Sequence, residues 1–251
     1  MARYDIRTPR LYVDAALGTG MALSLQGPQA HYLLHVLRLK SGDPVLLFNG
    51  RDGEWRARLA GASKRAALLT VEDRTRVQSG PADLHYWFAP LKHSRLDYMA
   101  QKAVEMGASR LQPVMTRHTQ AGRVNVDRMR ANAIEAAEQC GILTLADVAT
   151  PLALDRAIAG RDPDRLLIFC DEDAEMKNPL AALKAVRDRS GEAMPLAVLI
   201  GPEGGFAKEE RAALLHAPNV LRLALGPRIL RADTAAVAAL ALVQAVLGDW
   251  R

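Results

Sequence analysis

From Leu84 onward the chain repeats one pattern, a short apolar run followed by a longer segment whose apolar residues recur at helical spacing. The runs are Leu84–Phe88, Leu111–Met115, Leu166–Cys170, Leu196–Ile200 and Val220–Leu223. Helical segments fall near Ser94–Met106, Asp127–Cys140, Asn178–Arg189, Lys208–His216 and Thr234–Leu247. Continuous apolar runs suit strands covered on both faces, and their alternation with helices predicts a parallel α/β sheet with helices on both sides. The segment from Ser94 shows its ends. Ser94 and Asp97 make a capping pair, Leu96, Met99, Ala103 and Met106 share one face, and Gly107 is a C-terminal stop.

The first third has a different rhythm. Short strands are expected at Leu11–Val13, Met21–Leu25, Val45–Phe48, Glu54–Leu59 and Ala66–Val71, with one helix from Pro28 to Leu37. Gly-Thr-Gly, Ser-Gly-Asp-Pro and Asn-Gly-Arg-Asp-Gly punctuate them as turns, and this even spacing predicts a small β-barrel. The polar stretch Val77–Asp83 reads as a linker, dividing the chain into domains 1–76 and 84–251.

Of 251 residues, 49% are hydrophobic and 24% charged, as in soluble globular proteins. The longest apolar stretch, Ala235–Leu247, is broken by Gln244 and too short to cross a bilayer, and the first residues carry no signal-peptide core. Cys140 and Cys170 form no CxxC pair, so a cytoplasmic protein without disulfides or a metal site is expected. His31 and His35 are four apart on a helix, but no third metal ligand accompanies them. Positive charge gathers at the start: residues 1–75 hold 11 Lys/Arg against 7 Asp/Glu, a balance of +4 in a total of +5. A basic module joined to a near-neutral one points to a polyanion, with a merely solubilising surface as the alternative.

Two strand ends are unusual. Leu196–Ile200 runs into Gly201-Pro-Glu-Gly-Gly-Phe206, and Leu223 into Leu225-Gly-Pro-Arg-Ile-Leu-Arg-Ala-Asp-Thr234. Each passes from strand through Gly-Pro to a helix, which leaves backbone N–H groups free at the carboxyl edge of a parallel sheet. Neither fits GxxxxGK[ST], and the only GxG, Gly18-Thr19-Gly20, lies in the first third, so ATP, flavin and nicotinamide are disfavoured. Apolar side chains beside two arginines suit a flat, partly charged ligand such as an adenosine derivative. A tight turn whose glycines supply positive φ is the plain alternative for either loop.

These two loops together resemble the paired signature of the SPOUT methyltransferases, and more narrowly the 16S ribosomal RNA uracil-N3-methyltransferase family. His31–Asp43 resembles that family's PUA-like barrel motif, and Leu96–Gly107 and Glu135–Gly141 resemble its internal blocks. The resemblance implies a PUA-like N-terminal RNA-binding domain, a C-terminal α/β domain with a deep trefoil knot, a homodimer, and S-adenosylmethionine as cofactor. It also implies that Ile200, Gly201, Glu203, Gly204, Gly205, Leu225, Gly226, Ile229, Leu230 and Thr234 contact the cofactor, with the strand end from Cys170 to Glu172 as a weaker addition. The chain departs from the family pattern at Ala207, where Ser or Thr would cap the next helix, at Ile142 and Ala146, and more mildly at His35 and Asp233.

Removing the proton of uracil N3 leaves negative charge on N3 and the flanking carbonyls, which a fixed cation would stabilise. Arg231 is the candidate for that role; an ion pair with Asp233 or another carboxylate is the alternative. Glu203, Glu172 and Asp233 are candidate bases, and spacing singles none out. Arg7, Arg10, His31, Arg38, Lys92, Arg95 and Arg117 are candidate RNA contacts. Rival readings are a SPOUT enzyme acting on transfer RNA or 2′-hydroxyls, and a non-catalytic RNA-binding assembly protein.

Overall fold

The computed structural model describes residues 5, 7–63, 65–92, 94–175, 178–190 and 194–250. They pack as two compact units. The first runs to Gly80 and takes in Ala137–Leu145; the second comprises Pro81–Ala136 and everything from Ala146.

The first unit is a mixed sheet of β1 (Arg10–Tyr12), β2 (Ala22–Gln26), β3 (Pro44–Phe48), β4 (Glu54–Ala62) and β5 (Ala66–Arg76). The order is β1-β3-β4-β5-β2, with β1 parallel to β3 and the other pairs antiparallel. In β4 the buried Ala57 and Leu59 alternate with the exposed Arg58 and Ala60, the period expected when one sheet face covers a core. Three register shifts between β4 and β5 bend the long hairpin so that the sheet curls. Its core, which includes Val45, Leu47, Ala57, Leu59 and Leu69, also takes Ala30 and Leu33 from the helical segment after β2. That segment is α1 (Gly27–His31) followed by a π-helical turn, Tyr32–Val36. The sequence predicts one α-helix over Pro28–Leu37. The structure widens it, with Leu37 N donating to Tyr32 O at 2.9 Å, and ends it at Arg38 in the left-handed region, φ 56°.

At one end of this sheet lies a buried charge cluster. Arg10 Nε donates to Glu54 Oε2 at 2.6 Å, Arg76 Nη2 to the same oxygen at 2.7 Å, and Thr75 Oγ1 to Glu54 Oε1 at 2.8 Å. The Arg10 and Glu54 side chains are 6% and 4% exposed. Arg10 Nη1 and Arg76 Nη2 also reach the carbonyls of Glu138 and Gly141 at 3.2 and 2.9 Å, which ties residues 137–145 into this unit. Burial would push the Glu54 carboxyl up, but the hydrogen bonds from Arg76, Arg10 and Thr75 outweigh it and hold it below its ordinary value. Arg10, expected to face RNA, is therefore a structural residue of the core.

The second unit is a wholly parallel sheet. Its elements are β6 (Leu84–Phe88), α2 (Ser94–Glu105), β7 (Arg110–Met115), α3 (Val126–Cys140, of which the last four residues belong to the first unit), β8 (Asp147–Val148), β9 (Leu152–Ala153), α4 (Leu154–Ala159), β10 (Leu166–Cys170), α5 (Pro179–Ser190), β11 (Leu196–Ile200), α6 (Lys208–His216), β12 (Val220–Leu223) and α7 (Ala232–Val246). The order is β12-β10-β11-β6-β7-β8, with β9 also on β7. All five residues of β11 are buried, as its central place requires. Asp97 of α2 holds Asn132 and Arg128 of α3, each at 2.8 Å through Oδ1.

Helix α7 packs against α2, α5 and β11 through Ala235, Ala236, Ala239, Leu240 and Val243. Its fully buried Gln244 has a purpose there. Gln244 Nε2 donates to Met106 O at 2.8 Å, satisfying the carboxyl end of α2, and its Oε1 accepts from Asp249 N at 3.1 Å. Gly107 turns the chain beside it at φ 84°, where a Cβ would lie 2.3 Å from Gln244 Nε2. Among the described residues, no helix is long and apolar enough to cross a membrane.

Candidate functional site

In a parallel sheet the carboxyl ends of the strands share one edge, and ligands bind there. The loops leaving β10, β11 and β12 enclose a cleft of about 320 Å³. Its lining comes from Cys170, Asp171 and Glu172 after β10, from Ile200–Glu203, Gly205 and Phe206 after β11, and from Leu223, Leu225, Gly226 and Arg228–Ala232 after β12, with Ala235 of α7.

The β11 loop owes its shape to two glycines. A Cβ at Gly201 would lie 2.4 Å from Cε2 of Phe206, whose ring packs edge-on against Phe169 at 5.1 Å and anchors the loop in the core. Gly205 turns the chain at φ 69° and closes it with a hydrogen bond from its N to Pro202 O at 2.9 Å. Helix α6 then starts at Ala207, which has no side-chain cap to offer. Glu210 supplies the other half, accepting from Ala207 N at 2.9 Å and, through its second oxygen, from Arg117 N at 2.7 Å.

Beneath the cleft, the buried Asp171 carboxylate accepts from Arg211 Nη2 at 3.1 and 3.0 Å and from Arg222 Nε at 3.0 Å. One carboxylate thus ties the end of β10 to α6 and β12. A second bridge crosses the loops. Arg95 of α2 donates through Nε to Asp233 Oδ2 at 2.9 Å and through Nη1 to Glu203, latching the β11 loop to the first turn of α7. The Arg95 hydrogen bond holds the Asp233 carboxyl below the usual carboxylate range, and the two carboxylates raise the guanidinium in turn. Desolvation, with the Asp171 charge adding to it, pushes the Cys170 thiol up to about 12, so it stays protonated at neutral pH.

Of the residues expected at a cofactor, Cys170, Glu172, Ile200, Gly201, Glu203, Gly205, Leu225, Gly226, Ile229 and Leu230 all line this one cleft. Gly204 and Thr234 do not. A Cβ at Gly204 would meet His118 Cβ at 3.3 Å on the far side of the loop, and Thr234 is an exposed residue of α7 outside the lining. Arg231 lines the cleft, exposed, with no carboxylate partner among the described residues; its alternative partner Asp233 is taken by Arg95. Asp171 lies within the strand end Cys170 to Glu172 that was expected there as a weaker addition, whereas the sequence did not single out Phe206 or Arg228 as cofactor contacts.

Of the candidate RNA contacts, Arg7, Arg10, His31 and Arg38 belong to the first unit and Lys92, Arg95 and Arg117 to the second. Arg7, His31, Arg38, Lys92 and Arg117 are exposed, and Arg117 faces Glu209 at 3.8 Å. The His31 and His35 rings lie 5.1 Å apart, and no group of three or more metal-capable side chains occurs among the described residues. Arg10 and Arg95 are committed to ion pairs within the protein.

Residues 78–244 match the RNA methyltransferase domain model, and residues 25–72 match the RNA methyltransferase PUA domain. A ribosomal RNA small subunit methyltransferase E of Rickettsia conorii is 29% identical over 240 residues, covering 94% of each chain. One from Synechocystis is 32% identical over 232 residues, covering 90% of this chain and 73% of the relative. The crystal structure of a ribosomal RNA small subunit methyltransferase E from Neisseria gonorrhoeae, bound to S-adenosyl methionine, superposes with a TM-score of 0.86 at 25% identity, covering 98% of this chain and all of that one. A curled PUA-type sheet followed by a parallel α/β unit whose Gly-Pro loops share a cleft fits these matches throughout, and the chain belongs to the PUA-containing RNA methyltransferase family of the ribosomal RNA small subunit methyltransferases E.

Proposed function

We propose that this chain is an S-adenosylmethionine-dependent enzyme that methylates N3 of a uridine in the 16S RNA of the small ribosomal subunit. In this reading it works in the cytoplasm as a homodimer, with the C-terminal part of the second unit threaded as a deep trefoil knot. The observation that carries it is the single cleft built by both Gly-Pro loops, lined by Arg231 with no carboxylate partner among the described residues.

The residues present fit the cofactor. Ile200, Leu225, Ile229 and Leu230 supply apolar walls for an adenine ring, and the glycines let backbone groups come close. When bound, S-adenosylmethionine supplies a methyl group on a sulfonium, open to in-line attack. The chain's own task is to hold the acceptor in line and to stabilise charge as N3 loses its proton. Arg231 provides a fixed positive charge for the uracil carbonyls.

Mass spectrometry of 16S RNA from cells lacking the chain tests the reading: loss of N3-methyluridine supports it, and an unchanged level with no second enzyme present would end it. Two substitutions probe the cleft by calorimetry. Gly201→Ala forces Phe206 from its seat, a clash worth about 1–3 kcal/mol, so the cofactor Kd should rise between about 5- and 150-fold in a folded protein. Arg95→Ala releases the latch. Its two partly exposed ion pairs are worth about 0.2–1 kcal/mol each, so the Kd should rise about 2- to 30-fold, with Arg95→Lys recovering part of the loss. An unchanged Kd in Arg95→Ala would mean the bridge does not shape the cleft.

A further inference from the structure

The edge that carries the cleft continues beyond it. In the order β12-β10-β11-β6-β7, the cleft lies over the first three strands, and the loops leaving β6 and β7 come next. These loops and the β11 loop enclose a small pocket of about 100 Å³, bounded by Lys92, Arg95, His118, Gln120, Pro202 and Glu203. A wider depression of about 380 Å³ shares Lys92 and Gln120 with it and extends to Arg123 and Arg128. Pro202 and Glu203 line both the small pocket and the cofactor cleft, so the two openings share one border.

The walls are held in place. The His118 ring, through Nδ1, bonds to Gly205 O at 3.0 Å, and Thr116 N donates to Thr119 Oγ1 at 2.9 Å. The charges divide into spent and unspent. Arg128 is neutralised by Asp97, and Arg95 by Glu203 and Asp233. Lys92 and Arg123 are exposed, with no carboxylate partner among the described residues, and they flank Gln120. A carboxamide both donates and accepts, which suits the carbonyl and N–H edge of a pyrimidine, whereas free cations suit phosphates.

We propose that this groove receives the acceptor nucleotide, with the flipped uracil lying at the Pro202–Glu203 border, one edge against Gln120 and N3 turned toward the cofactor cleft that Arg231 lines, and the flanking phosphates on Lys92 and Arg123. The proposal rests on the methyltransferase reading above. It places the acceptor beside the cofactor, on the same edge of the sheet, where an extruded base can be presented.

The test uses the full chain and assembled small subunits lacking the modification. Steady-state methylation is measured for wild type, Gln120→Ala and the double variant Lys92→Ala/Arg123→Ala, with cofactor binding followed by calorimetry. Gln120→Ala should lower kcat/KM for the subunit about tenfold, with the cofactor Kd unchanged within about twofold. The double variant should raise KM and flatten the dependence of log KM on log salt concentration by about 1.5–2, the loss of two phosphate contacts. In parallel, 16S RNA carrying 4-thiouridine at the acceptor position is photocrosslinked to the wild-type chain, and the adduct should map to the loops after β6 and β7. Wild-type kinetics in both variants, or a crosslink elsewhere, would overturn the groove while leaving the enzyme reading intact. A wild-type chain that transfers no methyl group to 16S RNA would overturn both.

Discussion

Arg231→Ala is expected to lower kcat for RNA methylation by about 10²- to 10³-fold, the usual cost of removing one preorganised group that stabilises developing charge. The cofactor Kd should stay within about twofold of wild type, because the cleft's apolar walls and glycine turns do not depend on this side chain. The reasoning is electrostatic. A guanidinium already paired with a carboxylate has little field left to offer, and Arg231 has no such partner among the described residues because Asp233 belongs to Arg95. Arg231→Lys should recover part of the rate, since a point charge keeps the sign but loses the planar fork. A kcat within threefold of wild type in Arg231→Ala would remove the arginine from the reaction and return it to the surface.

The second large effect is on stability. Glu54→Ala leaves Arg10 and Arg76 without their shared carboxylate in a buried site, and breaking such a cluster from one side costs about 3–5 kcal/mol. The same group fixes a pH dependence. Glu54 titrates below its ordinary value of 4.5 in the folded chain, so its contribution is fully present above that value. The contribution is lost as pH falls through the lower, folded value. Urea denaturation at a series of pH values should therefore show wild-type stability falling below about pH 4.5, and a shallower fall in Glu54→Ala. Equal slopes would mean that the cluster adds nothing to acid sensitivity.

Much of the second unit was legible because its strands announce themselves. Leu166–Cys170 and Leu196–Ile200 are apolar runs ended by an acid and by Gly-Pro, Val220–Leu223 is apolar but for Arg222, and the structure has strands with those bounds. Between Gly141 and Arg165 the sequence says little. Strands β8 and β9 have two residues each, too few for any period, and α4 has only six. The π-helical turn was hidden for a related reason: apolar residues three or four apart fit an α-helix equally well.

The site was legible in composition more than in geometry. Four glycines in two loops point to a ligand, but no pattern tells which of them face it. Gly201 gives way to Phe206, whereas Gly204 abuts His118. Charges were harder still. A sequence cannot tell an arginine free for RNA from one already spent, and Arg10 and Arg95 are of the second kind.

Helix α7 carries three separate duties: Ala232 and Ala235 wall the cleft, Asp233 completes the latch, and Gln244 satisfies the end of α2 more than a hundred residues back along the chain. Every earlier element can be synthesised and still leave the cleft one wall short. Competence to hold a cofactor therefore arrives last, and a chain released before α7 is a protein with an RNA-type sheet and no working catalytic half.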